Sequence, residues 1–216
     1  MTEAAIELYN DYKHDFRIFM DGVVGYIGAH PKLVGKGGAV HSTRHRLKDA
    51  DSLRHKIARK AAEGRTVDET NIFDEITDLA GVRVLHLFQH SFAEIDAVIR
   101  SRVQSGDWCL GEKPRAYTWD PEAAAFFSNF DVDVRHKPTS YTSVHYLLKP
   151  RADSLVCCEV QVRTLFEEIW GEVDHQMNYP DPTDSLACRE QILVLSKLVG
   201  AGSRLLDALH RVKSEI

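Results

Sequence analysis

Nothing in this 216-residue sequence supplies a covalent staple, a membrane anchor or a ready-made nucleotide cradle. Cysteine occurs four times, at Cys109, Cys157, Cys158 and Cys188, with no CxxC pair. That excludes a disulfide framework, and with no Cys/His cluster at ligand spacing it argues against zinc. Neighbouring strand residues point to opposite faces, so Cys157 and Cys158 are not expected to bond to each other. Four buried or half-buried thiols in a reducing compartment are expected. No apolar run approaches the roughly 18 residues of a membrane span. The opening stretch, MTEAAIELYNDYKHDF, carries acids and no signal-peptide core. A cytoplasmic chain with no membrane partner is the expectation. GxxxxGK[ST] and GxGxxG are both missing, which removes the P-loop and the Rossmann fingerprint. His14-Asp15 is an isolated HD pair, without the further His and Asp ligands of a metal-dependent phosphohydrolase. Net charge is −5, so the chain as a whole is no generic nucleic-acid binder.

What is present fits an ordinary soluble globular chain, with 44% apolar and 27% charged residues. Hydrophobic spacing predicts helices over 3–28 and 46–63, joined by the Gly-rich connector HPKLVGKGGAVHS. GVRVLHLF (81–88) reads as a buried strand. Ser91 reads as the cap of a helix reaching Arg102, with Glu94 at the capping-box position. WCLGEKPRAYTW reads as a poor strand followed by a loop. FDVDVRHKP and YTSVHYLLKP read as two strands joined through Pro138-Thr139-Ser140, and SLVCCEVQVRT as the last strand. Helices follow from Leu165 and over about 184–213. The expected fold class is α/β (α+β): a single domain over 1–216 with a mixed sheet of about five strands flanked by helices.

Four stretches carry polar groups whose pattern suits chemistry. In RLKDADSLRHKIARK (46–60), Lys48, Ser52, Lys56 and Arg59 or Lys60 recur at helical spacing and share a face, with Arg46 at the entry. Such a stripe suits a polyphosphate, although a basic face that only meets water has the same pattern. Asp78 precedes the strand that begins near Gly81, at a sheet mouth where a carboxylate can hold Mg²⁺ or simply cap a turn. Glu159, Gln161 and Arg163 share one face of the last strand. Facing a crevice, they place an acid for a metal or a proton beside a phosphate-binding guanidinium; facing water, they are a routine wet sheet face. Tyr141, Ser143 and His145 share a parity near Lys137, as a base-stacking tyrosine beside a cation would, or as a cross-strand aromatic pair would.

The order of these blocks is more specific than any one of them. RLKDADSLRHKIARK, DLAGVRV, KPTSYTSVH and EVQVRTLFEEIWGEVDH, in that order, resemble the synthetase domain of RelA/SpoT-type alarmone synthetases over about residues 40–180. With no plausible hydrolase region, the chain resembles a small, synthetase-only member. The resemblance implies a nucleotidyltransferase-like fold and transfer of the β,γ-pyrophosphate of ATP to the 3′-hydroxyl of GDP or GTP, releasing AMP. It implies that Arg46 meets the adenine and that Lys48, Ser52, Lys56 and Arg59 hold the donor phosphates. Asp78 and Glu159 would be the catalytic acids and the Mg²⁺ contacts, Glu159 serving as metal contact or as base. Tyr141 would stack on the acceptor base, and Lys137 and His145 would reach the acceptor phosphates or the transferring group. Gln161 and Arg163 would support them. Many guanosine-using members have Asn-Gly before that Tyr, where this chain has Thr139-Ser140, and His136 stands where many have Pro. Three readings therefore stand. A guanosine nucleotide is the first acceptor, an adenine nucleotide or the tRNA 3′ end is the second, and a non-catalytic nucleotide sensor is the third. The apolar spacing of 191–209 leaves a homo-oligomer open.

Overall fold

The computed structural model describes residues 2–178 and 183–214. Helix α1 (Thr2–Ala29) buries Ala5, Ile6, Tyr9, Phe16, Met20, Val23 and Ile27, a stripe at helical spacing that faces the sheet. The sheet follows as β1 (Ser42–Leu47), β2 (Ala80–His86), β3 (Cys109–Leu110), β4 (Arg115–Thr118), β5 (Asp133–His136), β6 (Ser143–Lys149) and β7 (Cys158–Thr164). Between and after the strands come α2 (Ala50–Ala62), the single turn α3 (Ile72–Glu75), α4 (Phe92–Gln104), α5 (Pro121–Phe127), α6 (Leu165–Asn178) and α7 (Leu186–Ser214).

The sheet is mixed, in the order β1-β2-β7-β6-β4-β5, with β3 added on β6. β2 and β7 pair in parallel at its centre, Gly81 opposite Glu159 and Arg83 opposite Gln161. This register sets the functional residues of two distant segments side by side. The alternate residues Val82, Val84, Val160 and Val162 point the other way and are fully buried under α1 and its neighbours. The Tyr9 hydroxyl donates to the carbonyls of Lys48 (2.9 Å) and Leu79 (3.3 Å), tying α1 to the two chain segments that lead into the site.

Several expectations need correction. Residues 46–63 are not one helix. Arg44 and Arg46 lie on edge strand β1, Lys48 lies between strand and helix, and Asp49 caps α2 through Ser52 N–H (2.8 Å). β1 and the split pair β3/β4 raise the strand count from about five to seven. The two strands joined through Pro138-Thr139-Ser140 are present as β5 and β6, with β4 between them in the sheet. Ser91 makes no side-chain cap; it ends a 3-10 turn, and Asp207 of α7 accepts from Gln89 N–H (2.8 Å) there instead. The capping box is at α6. Thr164 N–H donates to Glu167 Oε2 (2.7 Å), and Glu167 N–H donates to Thr164 Oγ1 (3.2 Å). All four cysteines are free. Among the described residues, no helix is long and apolar enough to cross a membrane.

Burial raises the Glu167 carboxyl to about 7, from an ordinary 4.5. A group held protonated in the fold contributes fully below its unfolded value and loses that contribution as pH rises through its folded one. Stability is therefore expected to fall as pH rises through about 7. Thermal melts of Glu167→Gln, which keeps an acceptor for Thr164 N–H, should be flatter across that range. A wild-type curve of the same slope as the variant's would rule this out.

Candidate active site

A cavity of about 290 Å³ opens on the face of the sheet that carries the polar residues of β1, β2 and β7. β1 contributes Arg44, His45 and Arg46, Asp78 lies just before β2, Gly81 and Arg83 lie on β2, and β7 contributes Glu159 and Gln161. Glu172 and His175 of α6 close it. On β7 alternation explains the selection, because Glu159 and Gln161 enter the cavity while Val160 and Val162 enter the core; the edge strand β1 instead lends three consecutive residues.

Asp78 is the focus of the basic segment. Lys48 Nζ lies 3.0 Å from its Oδ2 and Lys56 Nζ 2.7 Å from its Oδ1. Lys48 is buried. Burial by itself raises the pKa of Asp78, but Lys56 and Lys48 more than offset this and hold the carboxyl below its usual value. The rest of the expected basic face points elsewhere. The Ser52 hydroxyl donates to its own cap, Asp49 Oδ2 (2.8 Å). Lys60 pairs with Glu75 (3.1 Å), and Arg59 is exposed and lines no part of the cavity.

Glu159 sits in a chain of hydrogen bonds. Gln161 Nε2 donates to Glu159 Oε2 (2.7 Å), His145 Nδ1 lies 3.1 Å from Oε1, and the Tyr141 hydroxyl lies 2.8 Å from His145 Nε2. A carboxylate only accepts, so Nδ1 of His145 carries the hydrogen and the Tyr141 hydroxyl donates to Nε2. Burial raises the pKa of Glu159, and the charge of Asp78 adds to that. The His145 contact and Gln161 outweigh both and leave the carboxyl below its ordinary value. Both acids are thus held ionised at the same cavity. Their stabilising contributions are present above their ordinary pKa values and are lost as pH falls through the lower folded ones.

A second cavity of about 320 Å³ adjoins the first, sharing Arg83, Gln161 and His175 with it. Its walls are Tyr141, Arg163, Trp170, Gly171, Asp174 and Asn178. Tyr141 is not the exposed ring that its loop position suggests. It packs against the small cluster of Trp170, Ile192 and Val199, and burial raises its pKa, so the hydroxyl keeps its proton. Arg163 shares the face of Glu159 and Gln161 as expected, but it is buried and bound to Glu168, so it is not available to an incoming phosphate. A Cβ at Gly171 would come within 2.9 Å of its Nη1, so glycine leaves room for that guanidinium across α6. Lys137 lies over Tyr117, with its Nζ 4.9 Å from the ring centroid, and Tyr117 meets His145 edge-on.

Sequence reasoning missed Arg83. Its Nη1 lies 3.0 Å from Glu168 and 2.5 Å from Glu172, and Glu168 also meets Arg44 at 3.4 Å. Arg83 stands where the two cavities meet. In an apolar run such as GVRVLHLF, it reads as one more outward strand residue.

Ser140, immediately before Tyr141, is the one non-glycine residue with positive φ among the described residues, at 61°. The loop thus keeps the left-handed turn that a glycine would take without strain. A serine held there costs about 1–2 kcal/mol. Ser140→Gly should raise stability by up to about 1 kcal/mol after the greater chain entropy of glycine is counted, read from urea denaturation. A loss of stability would mean that the left-handed turn is not the strained element.

Two parallel and several antiparallel pairings in one sheet, helices on its faces, and two acids at a cavity rimmed with arginines define a nucleotidyltransferase-like α/β fold. The family described as the region found in RelA / SpoT proteins matches residues 45–184, and the chain belongs to that family. It is 23% identical to GTP pyrophosphokinase YwaC of Bacillus subtilis (strain 168) over 180 residues, 78% of this chain and 75% of that one. Small alarmone synthetase 1 from Bacillus subtilis superposes with a TM-score of 0.74 at 15% identity, covering 96% of this chain and 98% of that one. The same synthetase bound to its product pppGpp gives 0.66 at 19% identity, over 95% and 94% of the two chains. A GTP pyrophosphokinase family protein from Streptococcus pneumoniae gives 0.70 at 18% identity, over 97% and 94%.

Proposed function

We propose that this chain is an ATP:nucleotide 3′-pyrophosphokinase, with GDP or GTP as acceptor and AMP as the second product. The observation that carries the proposal is the pair of adjoining cavities. One holds two ionised carboxylates under a rim of cations, and the other holds a tyrosine ring. The relatives named as a GTP pyrophosphokinase and as a synthetase bound to pppGpp support the same reading.

In-line pyrophosphoryl transfer asks the protein for positioning and charge rather than covalent chemistry. Arg46 and Arg44 rim the first cavity, where an adenine and its phosphates enter. Lys48 and Lys56 now neutralise Asp78; with donor phosphates present, these two ammonium groups turn to the phosphoryl oxygens. Asp78 and Glu159 suit Mg²⁺: both offer hard oxygen donors, both are ionised, and Mg²⁺ takes only one or two protein carboxylates beside phosphates. Among the described residues there is no group of three or more His, Cys, Asp or Glu side chains that could hold a metal, so such an ion would rest on this pair and the nucleotide. Bound there, it would offset charge developing on the transferred group. Glu159, held by Gln161 and His145, accepts the proton of the acceptor 3′-hydroxyl. Tyr141, fixed by His145 and Trp170, presents its ring to the acceptor base. Arg83, between the cavities, faces the group in transit.

The test is direct. Purified protein receives ATP labelled in the γ-phosphate, Mg²⁺, and GDP, GTP, an adenine nucleotide or deacylated tRNA in separate reactions. Label on GDP or GTP, matched by AMP, is expected. Label only on an adenine nucleotide or tRNA would keep the transfer and change the acceptor. No transfer with ATP binding intact would favour a sensor and overturn the proposal.

A further inference from the structure

The polar face of the sheet does not end at His145. β4 lies between β6 and β5, with Arg115 opposite His145, and with Tyr117 opposite Ser143 on one side and Arg135 on the other. Directly paired residues share a face, so Tyr117 stands on the same side as His145 and Gln161. It is half-buried and lines neither cavity. The end of β4 nevertheless gathers the acceptor side of the site. Thr118 O accepts from Lys137 N–H (2.9 Å), and Thr118 Oγ1 meets the hydroxyl of Thr142 (3.0 Å), the residue after Tyr141. The Tyr117 ring has Lys137 Nζ over it, 4.9 Å from its centroid, and meets the His145 ring at 5.0 Å and 82°.

We infer that Tyr117 is a positioning residue for the transfer reaction: its ring sets the plane of the His145 imidazole and holds the Lys137 ammonium on the acceptor side. This role presupposes the pyrophosphokinase reaction proposed above.

His145 is held at both ends, with Nδ1 on Glu159 and Nε2 under the Tyr141 hydroxyl. Bonds at opposite ends of a ring fix its axis but leave it free to rock about that axis. An aromatic neighbour at a right angle stops the rocking, because the edge-to-face contact is lost when either ring turns. The Nδ1–H then keeps its direction toward Glu159 while that carboxylate serves as base. Lys137 is drawn to the negative face of the same ring. Without the ring, its long side chain samples many rotamers in solvent, and ordering it again on acceptor phosphates costs affinity. Neither task needs the Tyr117 hydroxyl, which meets Arg115, and Arg115 already pairs with Glu112.

The experiment uses the full chain and its Tyr117→Phe, Tyr117→Leu, Lys137→Met and Tyr117→Leu/Lys137→Met variants. Steady-state transfer from ATP is measured with GDP as acceptor. Exchange of the His145 Nδ1 hydrogen with water is read from side-chain ¹⁵N spectra with no nucleotide present. Tyr117→Leu should lower kcat roughly tenfold and raise the acceptor KM roughly fivefold, with the ATP KM unchanged. A fold merely loosened would not spare the ATP side. Tyr117→Phe should return both values to within about twofold of wild type. Once Lys137 is replaced, Tyr117→Leu should still lower kcat but add no further rise in acceptor KM, since the two residues act on the acceptor as one pair. The Nδ1 hydrogen should exchange slowly in the wild type and Tyr117→Phe, and rapidly in Tyr117→Leu. Tyr117→Phe as impaired as Tyr117→Leu, KM effects that simply add, or exchange unaltered in Tyr117→Leu would each overturn the inference. A wild type inert toward every acceptor would overturn the transfer reading instead, and the exchange measurement would still decide whether Tyr117 holds His145.

Discussion

Glu159→Gln should lower the rate of pyrophosphoryl transfer at least about a thousandfold, equivalent to about 4 kcal/mol of transition-state stabilisation, while ATP affinity stays within a few-fold of wild type. The expectation follows from what surrounds the carboxylate. Both of its oxygens already receive a hydrogen bond, from His145 and from Gln161. A glutamine side chain has one acceptor and one donor group. Its NH₂ would have to face either the His145 Nδ1–H or the Gln161 amide, donor against donor. The substitution thus removes the charge and the base together, and it loosens the ring that orients Tyr141. The cations assigned to the donor, Lys48 and Lys56 on Asp78 and Arg46 on the rim, form no ion pair with Glu159, so donor binding should survive. Single-turnover transfer alongside equilibrium binding of a non-hydrolysable ATP analogue separates the two quantities. Turnover near wild type would remove Glu159 from the chemistry and leave the cavity as a binding site alone.

The low pKa of Glu159 and Asp78 sets the pH range of that activity. Both are ionised at neutral pH despite their burial, so no gain in rate from ionising them is expected on going from neutral to alkaline conditions. The loss should come on the acid side, below the ordinary carboxylate range.

Much of this site was legible because strands write their faces in alternation. Glu159, Gln161 and Arg163 do share a face, and the start of α6 at Leu165 follows directly where the alternation ends. The basic segment was legible in composition but not in shape. Lys48, Ser52 and Lys56 have helical spacing, yet the chain turns from strand to helix between Lys48 and Ala50, and only Lys48 and Lys56 converge, on a carboxylate rather than on each other. Strand β1, STRHRL, is a polar edge strand with little burial, so it lacks the apolar alternation that betrays its neighbours. The cap expected at Ser91 was displaced by a tertiary partner, Asp207, more than a hundred residues away in sequence. The Thr164–Glu167 box has a readable T-x-x-E pattern, but it is hidden at the end of a strand. The role of Arg83 depends on two glutamates of α6 that no local pattern connects to it.

Those glutamates carry the other large expected effect. Glu168→Ala should destabilise the fold by about 3–5 kcal/mol, because one buried carboxylate serves three guanidinium groups. Glu168 and Arg163 are both buried, and the same carboxylate meets Arg83 at 3.0 Å and Arg44 at 3.4 Å. Removing it strands Arg163 in the protein interior with no counter-charge, while Arg83 keeps Glu172 and Arg44 keeps access to water. The penalty therefore belongs mainly to one residue, and this gives the control. Replacing both partners, Arg163→Met with Glu168→Leu, should recover most of the lost stability, since apolar side chains of similar volume avoid the desolvation cost that an orphaned charge incurs. The recovered protein should still be impaired in transfer, because Arg83 loses one of its two anchors at the junction of the cavities. Urea denaturation of the wild type, the single variant and the double variant reads the first effect, and acceptor KM reads the second. A single variant as stable as wild type would mean that Glu168 does not neutralise Arg163. A double variant with a normal KM would mean that the position of Arg83 is set by Glu172 alone.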